Sequence, residues 1–212
     1  MCENRQLQTA IRYNGTMKIE DLITRIREHP QEGFAVLLPL IEKNGVWYVL
    51  FEVRSPSIPQ GGEVCFPGGK IEKGETAAEA AVRETCEELL IRPDQIRMLT
   101  ELPLQPQLSR LIHAFLAVLT DYGSTFSKEE TERIFLIPLK ELLNEEPLVA
   151  ETDRPYRFSA DFPFDLLPQG RNYPFRVRTE PIYFYRRNEA LIWGMTASVL
   201  HGFLEIVRTL PE

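Results

Sequence analysis

The stretch of residues 62–91, which reads GEVCFPGGKIEKGETAAEAAVRETCEELLI, constrains this chain more than any other. It begins with glycine-rich turns and continues as a helix predicted from about residue 76 to residue 90. Glu84, Glu87 and Glu88 lie at i, i+3 and i+4, so a helix places their carboxylates on one face. Like charges at this spacing repel, and Mg²⁺ is commonly bound by one or two carboxylates together with substrate phosphates. The pattern therefore favours a metal-dependent phosphate site.

The spacing of the fixed residues resembles the Nudix box, the loop-helix-loop signature of hydrolases that cleave nucleoside diphosphates linked to another moiety. The match runs from Gly69 through five residues to Glu75, then seven residues to Arg83-Glu84, and two more to Glu87-Glu88. Three glutamates alone would favour an acidic surface helix that binds nothing. The additional residues at the required offsets favour the site.

Two positions of this stretch depart from the Nudix box. The aliphatic residue expected after Arg-Glu is Thr85, and the glycine expected just past the helix is Leu90. Glycine is the residue best suited to a left-handed helix end, so we expect the helix to run longer or turn differently at Leu90.

The resemblance also implies roles for individual residues. Arg83 would orient the glutamates by pairing with Glu75, and catalysis would combine electrostatic preorganisation with general-base help from a glutamate. A nearby acidic run, residues 129–132, contains Glu132, which best matches a second glutamate that reaches the metals in several Nudix enzymes; a solvated charge run is the alternative. The Mg²⁺ or Mn²⁺ ligands implied by the family are three glutamates and a glycine carbonyl: Glu84, Glu87, Glu88 and Gly68 or Gly69.

Residues upstream of the box are similar to the extra motif of coenzyme A pyrophosphatases. Arg54-Ser55, Gly62 and Phe66-Pro67-Gly68-Gly69 carry the likeness, and residues 190–197 resemble the end of that subfamily. An arginine expected midway falls on Ile58 or Pro59. The likeness implies cleavage of CoA into 3′,5′-ADP and 4′-phosphopantetheine, with Arg54 contacting phosphate; a surface arginine is the alternative.

Other functions share the same box. Hydrolases of ADP-ribose, NADH or nucleoside triphosphates carry it, and a catalytically silent module could sense a nucleotide or CoA. A third possibility is a scaffold that binds a partner through residues 144–173.

We expect Phe66 and Trp193 to be core residues and Gly194 to allow close helix packing.

Composition narrows the classes of partner and compartment. The 212 residues carry a net charge of −7, which argues against non-specific binding to nucleic acid or anionic membranes. Cys2, Cys65 and Cys86 match neither a zinc spacing nor a disulfide framework, and the latter two are expected to be reduced core residues. Residues 1–13 are polar and no apolar run is long enough to span a membrane, so we expect a soluble cytoplasmic protein. Its oligomeric state is open, with a homodimer possible.

The pattern of elements predicts an α/β fold, a Nudix-type α/β/α sandwich with a mixed sheet, in one domain over residues 33–212. Residues 1–32 would form a leader and a helix at 18–29. We expect an irregular excursion at 144–173 and a last helix capped by Asn188 and ending near Val207. Asn-Gly at 44–45 predicts a hairpin between the first two strands. The predicted strands are 33–41, 46–53, 96–104, 111–120, 134–137 and 182–185, with a short helix at 138–143.

Overall fold

Two antiparallel strands joined by a tight turn begin the described part of the chain. The computed structural model describes residues 33–103, 112–187 and 190–210. Strand β1 spans Phe34–Lys43 and β2 spans Val46–Arg54. Between them Asn44 and Gly45 have φ angles of 53° and 77°, the left-handed pair that a two-residue hairpin turn requires. The predicted hairpin is confirmed.

Seven strands of the described residues form the main sheet. Its central order is β3-β2-β1-β6-β5, with β4 paired to β1 and β7 paired to β2. β1 and β6 run parallel and the other pairs are antiparallel, so the sheet is mixed, as predicted. The remaining strands are β3 (Val64–Cys65), β4 (Gly68–Lys70), β5 (Ile96–Glu101), β6 (Ile112–Leu119) and β7 (Thr131–Pro138).

Helices cover both faces of this sheet. They are α1 (Ala77–Leu89), α2 (Leu139–Leu143) and α3 (Gly194–Arg208). Side chains of a strand alternate between faces, so β1 contributes to two separate cores. Its odd positions, Ala35, Leu37 and Ile41, pack with α1, and its even positions, Val36, Leu38 and Leu40, pack with α3. The fold is the predicted α/β/α sandwich.

A second sheet corrects the prediction of an irregular excursion at 144–173. Strand β8 (Leu148–Arg154) pairs with β9 (Arg178–Arg186), which pairs with β10 (Leu191–Trp193), all antiparallel. The sequence gives no local turn signal for this pairing because β8 and β9 are separated by residues 155–177. That connection contains two 3₁₀ turns, Phe164–Leu166 and Gly170–Asn172, and a cluster of mutually packed rings that includes Phe158, Phe162 and Phe175.

The last helix begins later than predicted. Ile192 is fully buried between Leu191 and Trp193, which are 45% and 41% exposed, so residues 191–193 alternate as a strand rather than a helix. The expectation that Trp193 is a core residue is therefore wrong, whereas Phe66, 4% exposed, is a core residue as predicted. Gly194 opens the helix with a φ of 62°, and a Cβ there would meet no atom within 4 Å. Its backbone conformation, not close packing, calls for glycine.

Some predictions lie outside the described residues. These are the leader and helix of residues 1–32, the cap at Asn188, and residues 104–111 between β5 and β6. The described residues all lie within one compact unit, and the boundary at residue 33 stays a prediction. Among the described residues, no helix combines the length and the apolar character that crossing a membrane would require.

Candidate active site

Helix α1 is fixed at both ends by its own sequence. Thr76 caps its start: the Thr76 hydroxyl accepts a hydrogen bond from the Glu79 amide, and the Glu79 carboxylate accepts one from the Thr76 amide at 2.8 Å. At the other end Leu90 adopts φ 53° and ψ 49°, the left-handed conformation. The expectation that the helix would exit differently without glycine is wrong, because Leu90 itself makes the turn with its side chain 59% exposed.

The two glycines of β4 permit close contact with neighbouring groups. Gly68 has a φ of 149°, and a Cβ there would overlap the carbonyl oxygen of Ala35 on β1. A Cβ on Gly69 would overlap the carboxylate of Glu84. The amide of Gly68 donates a hydrogen bond of 2.8 Å to Oε2 of Glu88. Glycine at position 68 therefore lets β4 approach β1, and glycine at position 69 leaves room for the Glu84 carboxylate against β4.

Arg83 joins the carboxylates to the loop before the helix. Its Nη2 and Nε donate to Glu75 at 2.7 and 3.1 Å, and its Nη1 donates to Glu84 at 2.9 Å. Nη2 also donates to the Lys70 carbonyl at 3.2 Å. The predicted pairing of Arg83 with Glu75 is present. Hydrogen bonding to Arg83 lowers the pKa of Glu75 below its ordinary value.

A cavity of about 540 Å³ lies beside the glycine strand and α1. Its lining combines carboxylates, two cationic side chains and apolar groups, a mixture suited to an anionic ligand with an organic portion. The charged residues that line it are Arg54, Lys70, Glu84, Glu88 and Glu130, and the apolar ones are Phe34, Val36, Phe66, Ile112 and Met195.

The structure brings together two of the three predicted helix glutamates. Glu84 and Glu88 line the cavity, whereas Glu87 is 56% exposed and lies with Cys86 along a separate groove outside α1. The carboxylate of Glu87 approaches Arg83 at 3.4 Å.

The second acidic run reaches the cavity through a different residue from the one predicted. Glu130 lines the cavity, and Glu132 is exposed on β7 and does not. The Glu130 carbonyl accepts a hydrogen bond of 2.8 Å from the Ser55 amide, which holds this turn against the end of β2. The sequence identified the right turn, but only the pairing of β7 with β2 decides which glutamate faces the cavity.

The turn that carries Glu130 is also attached to the end of α1. The Ser127 amide donates to the Glu88 carbonyl at 2.7 Å, and the Thr125 hydroxyl donates to the Leu89 carbonyl at 2.6 Å. These carbonyls have no partner within the helix, so the turn satisfies them. Glu88 and Glu130 are thereby held in fixed relation.

Burial and mutual repulsion make the cavity electrostatically unusual. Glu88 is 5% exposed, and burial raises its pKa to about 8, with the charges of Glu130 and Glu84 adding to the effect and the Gly68 amide opposing it. Burial also raises the pKa of Glu84, against the influence of Arg83. The site therefore gathers carboxyl groups whose burial and proximity disfavour their ionised forms.

Glu52 is a candidate site residue that sequence reasoning missed. It is 1% exposed on β2, and its Oε1 is the buried side-chain oxygen or nitrogen without a hydrogen-bond partner among the described residues. Burial raises its pKa, and repulsion from Glu88 and Glu130 raises it further. A usable signal existed, because the run VWYVLFEV places this carboxylate inside a strand that is otherwise apolar.

The donor chemistry of the cavity fits a hard divalent cation, although the side chains do not converge on one. Within residues 33–103, 112–187 and 190–210, no three Asp, Glu, His or Cys side chains are arranged to hold a metal ion. Arg83 engages Glu84, and the Gly68 amide engages Glu88. The cavity nevertheless offers oxygen donors, and beside them the buried Oε1 of Glu52 is left without a hydrogen-bond partner.

The two described cysteines take no part in this arrangement as reactive groups. Cys65 and Cys86 are free thiols that are partly buried, rather than the core residues expected. Burial raises the pKa of both thiols, and the charges of nearby carboxylates add to this effect. Both thiols therefore stay protonated near neutral pH.

A glutamate-bearing helix packed on a glycine strand, beside an acidic cavity in an α/β/α sandwich, defines a class of hydrolases that act on phosphate anhydrides. The family described as NUDIX domain matches residues 31–158, more than half of the chain. The chain belongs to the Nudix family, and it is a pyrophosphohydrolase of nucleoside diphosphate-linked substrates. Enzymes of this family generally use divalent metal ions and act on small nucleotide-containing substrates.

Individual relatives are distant. Nudix hydrolase 3 of Caenorhabditis elegans is 26% identical over 183 residues, covering 83% of this chain and 73% of that protein. The peroxisomal coenzyme A diphosphatase NUDT7 of Mus musculus is 31% identical over 132 residues, covering 60% of this chain and 56% of the mouse protein. Among solved structures, a Nudix hydrolase of M. smegmatis, RenU, is similar with a TM-score of 0.46 and 22% identity, over 54% of this chain and 74% of that one.

Proposed function

We propose that this hydrolase acts on coenzyme A and gives 3′,5′-ADP and 4′-phosphopantetheine. The observation that carries the proposal is the position of Arg54, which lines the same cavity as Glu84 and Glu88. Arg54 belongs to the residues that resemble the coenzyme A pyrophosphatase motif. The 31% identity to a mouse coenzyme A diphosphatase supports the same substrate.

In this proposal the cavity carboxylates hold Mg²⁺ or Mn²⁺. Glu84 and Glu88 would be protein ligands, and Glu87, Glu130 and the carbonyl of Gly68 are the further oxygens available beside them. When bound, the ion supplies positive charge that stabilises the diphosphate oxygens and a nucleophilic water. Arg83 keeps the helix carboxylates oriented through its bonds to Glu75 and Glu84.

The cationic residues of the cavity would bind the substrate. The Nε of Arg54 donates to the Pro59 carbonyl at 3.2 Å, which orients the guanidinium at the end of β2. Such a planar group suits phosphate oxygens. The apolar side chains of Phe34 and Met195, 50% and 42% exposed, offer contact area to an organic portion of the substrate.

The proposed reaction is attack of water on one phosphorus of the diphosphate. A bond forms between the water oxygen and phosphorus, and the bond from that phosphorus to the bridging oxygen breaks. Glu130, exposed at the cavity and placed by Ser55, is proposed to accept the proton from water. The bridging oxygen leaves with the second phosphate.

A substrate panel tests the assignment. The full chain with Mg²⁺ is incubated with CoA, ADP-ribose, NADH, diadenosine polyphosphates and dNTPs, and products are separated by chromatography. We expect CoA to be cleaved with the highest kcat/KM. A clear preference for another compound would overturn the CoA proposal and leave the hydrolase class intact, whereas tight nucleotide binding without turnover would identify a sensor.

Arg54→Ala sharpens the test of substrate recognition. We expect it to raise KM for CoA more than KM for ADP-ribose. Arg97→Ala is the matched control, because Arg97 is exposed on β5 and does not line the cavity. Equal effects of Arg54→Ala on both substrates would contradict its proposed role.

A further inference from the structure

Glu52 is an acidic residue at a buried position of the main sheet, where an apolar residue would be expected. Its backbone lies between β3 and β7, opposite Cys65 and Ile134. Its side chain shares the face of Leu50, which packs with α1, and it is 1% exposed. A carboxylate in such a place loses its hydration, and Oε1 receives no hydrogen bond in exchange.

The charged groups around Glu52 are those of the cavity. The charges of Glu88 on α1 and of Glu130 in the turn before β7 both disfavour the ionised form of Glu52. Arg54, two residues along the same strand, is the attractive charge that acts on it. Within the described part of the chain, no ion pair joins Arg54 to Glu52, Glu88 or Glu130.

Burying an ionisable carboxyl beside other carboxylates, with no hydrogen-bond partner for Oε1, lowers the stability of the fold, and an apolar side chain could fill the same volume. Residues that break a local folding rule in this way concentrate at functional sites. A cation bound among the neighbouring carboxylates would compensate Glu52 as well as its neighbours.

We infer that Glu52 is a positioning residue of the divalent-cation site, which acts from the face of β2 that packs against α1 and, when a cation is bound, adds negative charge that tightens its binding. This inference rests on the proposed metal role of Glu88. Groups behind metal ligands contribute to affinity in this way, and their removal typically weakens metal binding about 10- to 100-fold.

Binding of Mn²⁺ alone tests the inference without reference to activity. The full chain, freed of metal with a chelator, is titrated with Mn²⁺, and free Mn²⁺ is measured by electron paramagnetic resonance. We expect Glu52→Gln, which keeps shape and removes charge, to weaken Mn²⁺ binding at least about tenfold. Glu129→Gln is the matched control: it removes the same charge from an exposed side chain beside Glu130 that does not line the cavity, and affinity should change less than about twofold.

A thermal measurement separates this role from a structural one. Without metal, Glu52→Gln should unfold at the same temperature as the wild type or higher, and the rise in Tm on adding Mn²⁺ should be smaller. Glu52→Asp keeps the charge and should retain Mn²⁺ affinity better than Glu52→Gln. If Glu52→Asp, correctly folded, loses as much affinity as Glu52→Gln, the charge argument is overturned.

Glu88→Gln distinguishes a failure of the role inferred for Glu52 from a failure of the proposed metal site. Wild-type Mn²⁺ affinity in Glu52→Gln overturns the inference on Glu52. If Glu52→Gln binds Mn²⁺ as the wild type does while Glu88→Gln has lost Mn²⁺ binding, the metal role proposed for Glu88 stands and only the role assigned to Glu52 fails. If Glu88→Gln also binds as the wild type does, the metal site of the proposed function fails with it.

Discussion

The guanidinium of Arg83 donates two hydrogen bonds to the carboxylate of Glu75, at 2.7 and 3.1 Å, across the turn that leads into α1. The same guanidinium donates to Glu84. One planar side chain thus ties a loop residue to a helix residue that lines the cavity, and the Glu84 carboxylate depends on it for its orientation.

Replacing this arginine by lysine should impair catalysis more than folding. Arg83→Lys keeps the charge but cannot make the two parallel bonds, so we expect kcat to fall about 10- to 100-fold with a smaller change in KM. The matched control is Arg92→Lys, since Arg92 pairs with Asp94 while both side chains are about 70% exposed. Steady-state kinetics give kcat and KM for both variants, and equal kcat values for the two would contradict the orienting role.

The adjacent glycines should respond differently to alanine. Gly68→Ala adds a methyl group that meets the backbone of β1, so the free energy of unfolding should fall by about 2 kcal/mol or more. Gly69→Ala meets only the movable carboxylate of Glu84, so stability should change little while activity falls at least about tenfold. Urea unfolding and initial rates measured on both variants test this, and similar stability losses would show the contacts to be misassigned.

Leu90→Gly should stabilise the protein. Leu90 holds a left-handed conformation that costs a residue with a Cβ about 1 kcal/mol relative to glycine, and its exposed side chain contributes little burial. The gain should be about 0.5–1 kcal/mol in urea unfolding, reduced by the added entropy of the unfolded chain. Leu90→Ala, which keeps the Cβ, should show no such gain, and the same stability for both variants would count against conformational strain.

His201 should make stability depend on pH. Its ring stacks on Tyr183 at 3.9 Å between centroids, its Nδ1 lies 3.2 Å from the Tyr185 hydroxyl, and burial lowers its pKa. The unfolded chain therefore binds a proton more readily than the folded one. The stabilisation is complete above the unfolded pKa of about 6.5 and is lost as pH falls towards the lower folded value.

The measurement is Tm between pH 7.5 and pH 5 for the wild type and for His201→Phe, which keeps a ring against Tyr183 and removes the titration. The wild type should lose more Tm over this interval than the variant. An equally steep decline in the variant would assign the pH dependence to other groups.

Local patterns in the sequence predicted the first hairpin and helix α1, because residues near each other in the chain determine them. The pairing of Arg83 with Glu75 followed from the resemblance to the Nudix box. The sequence also located the acidic turn near residue 130. It did not distinguish Glu130 from Glu132, because that choice depends on the register between β7 and β2. The pairing of β8 with β9 was not predicted for the same reason, since it depends on contacts between distant segments. Glu52 was overlooked although its place in an apolar strand pointed to burial.

Helix α3, which supplies Leu200, Phe203 and Leu204 to the core against Val36 and Phe51, lies wholly beyond the segment that matches the family. A fragment ending at residue 158 would leave those sheet residues facing water and would lose Met195 from the cavity. Excising the family-matched portion as an autonomous catalyst should therefore yield an aggregating polypeptide, because the sheet face that α3 covers would become a large exposed apolar surface.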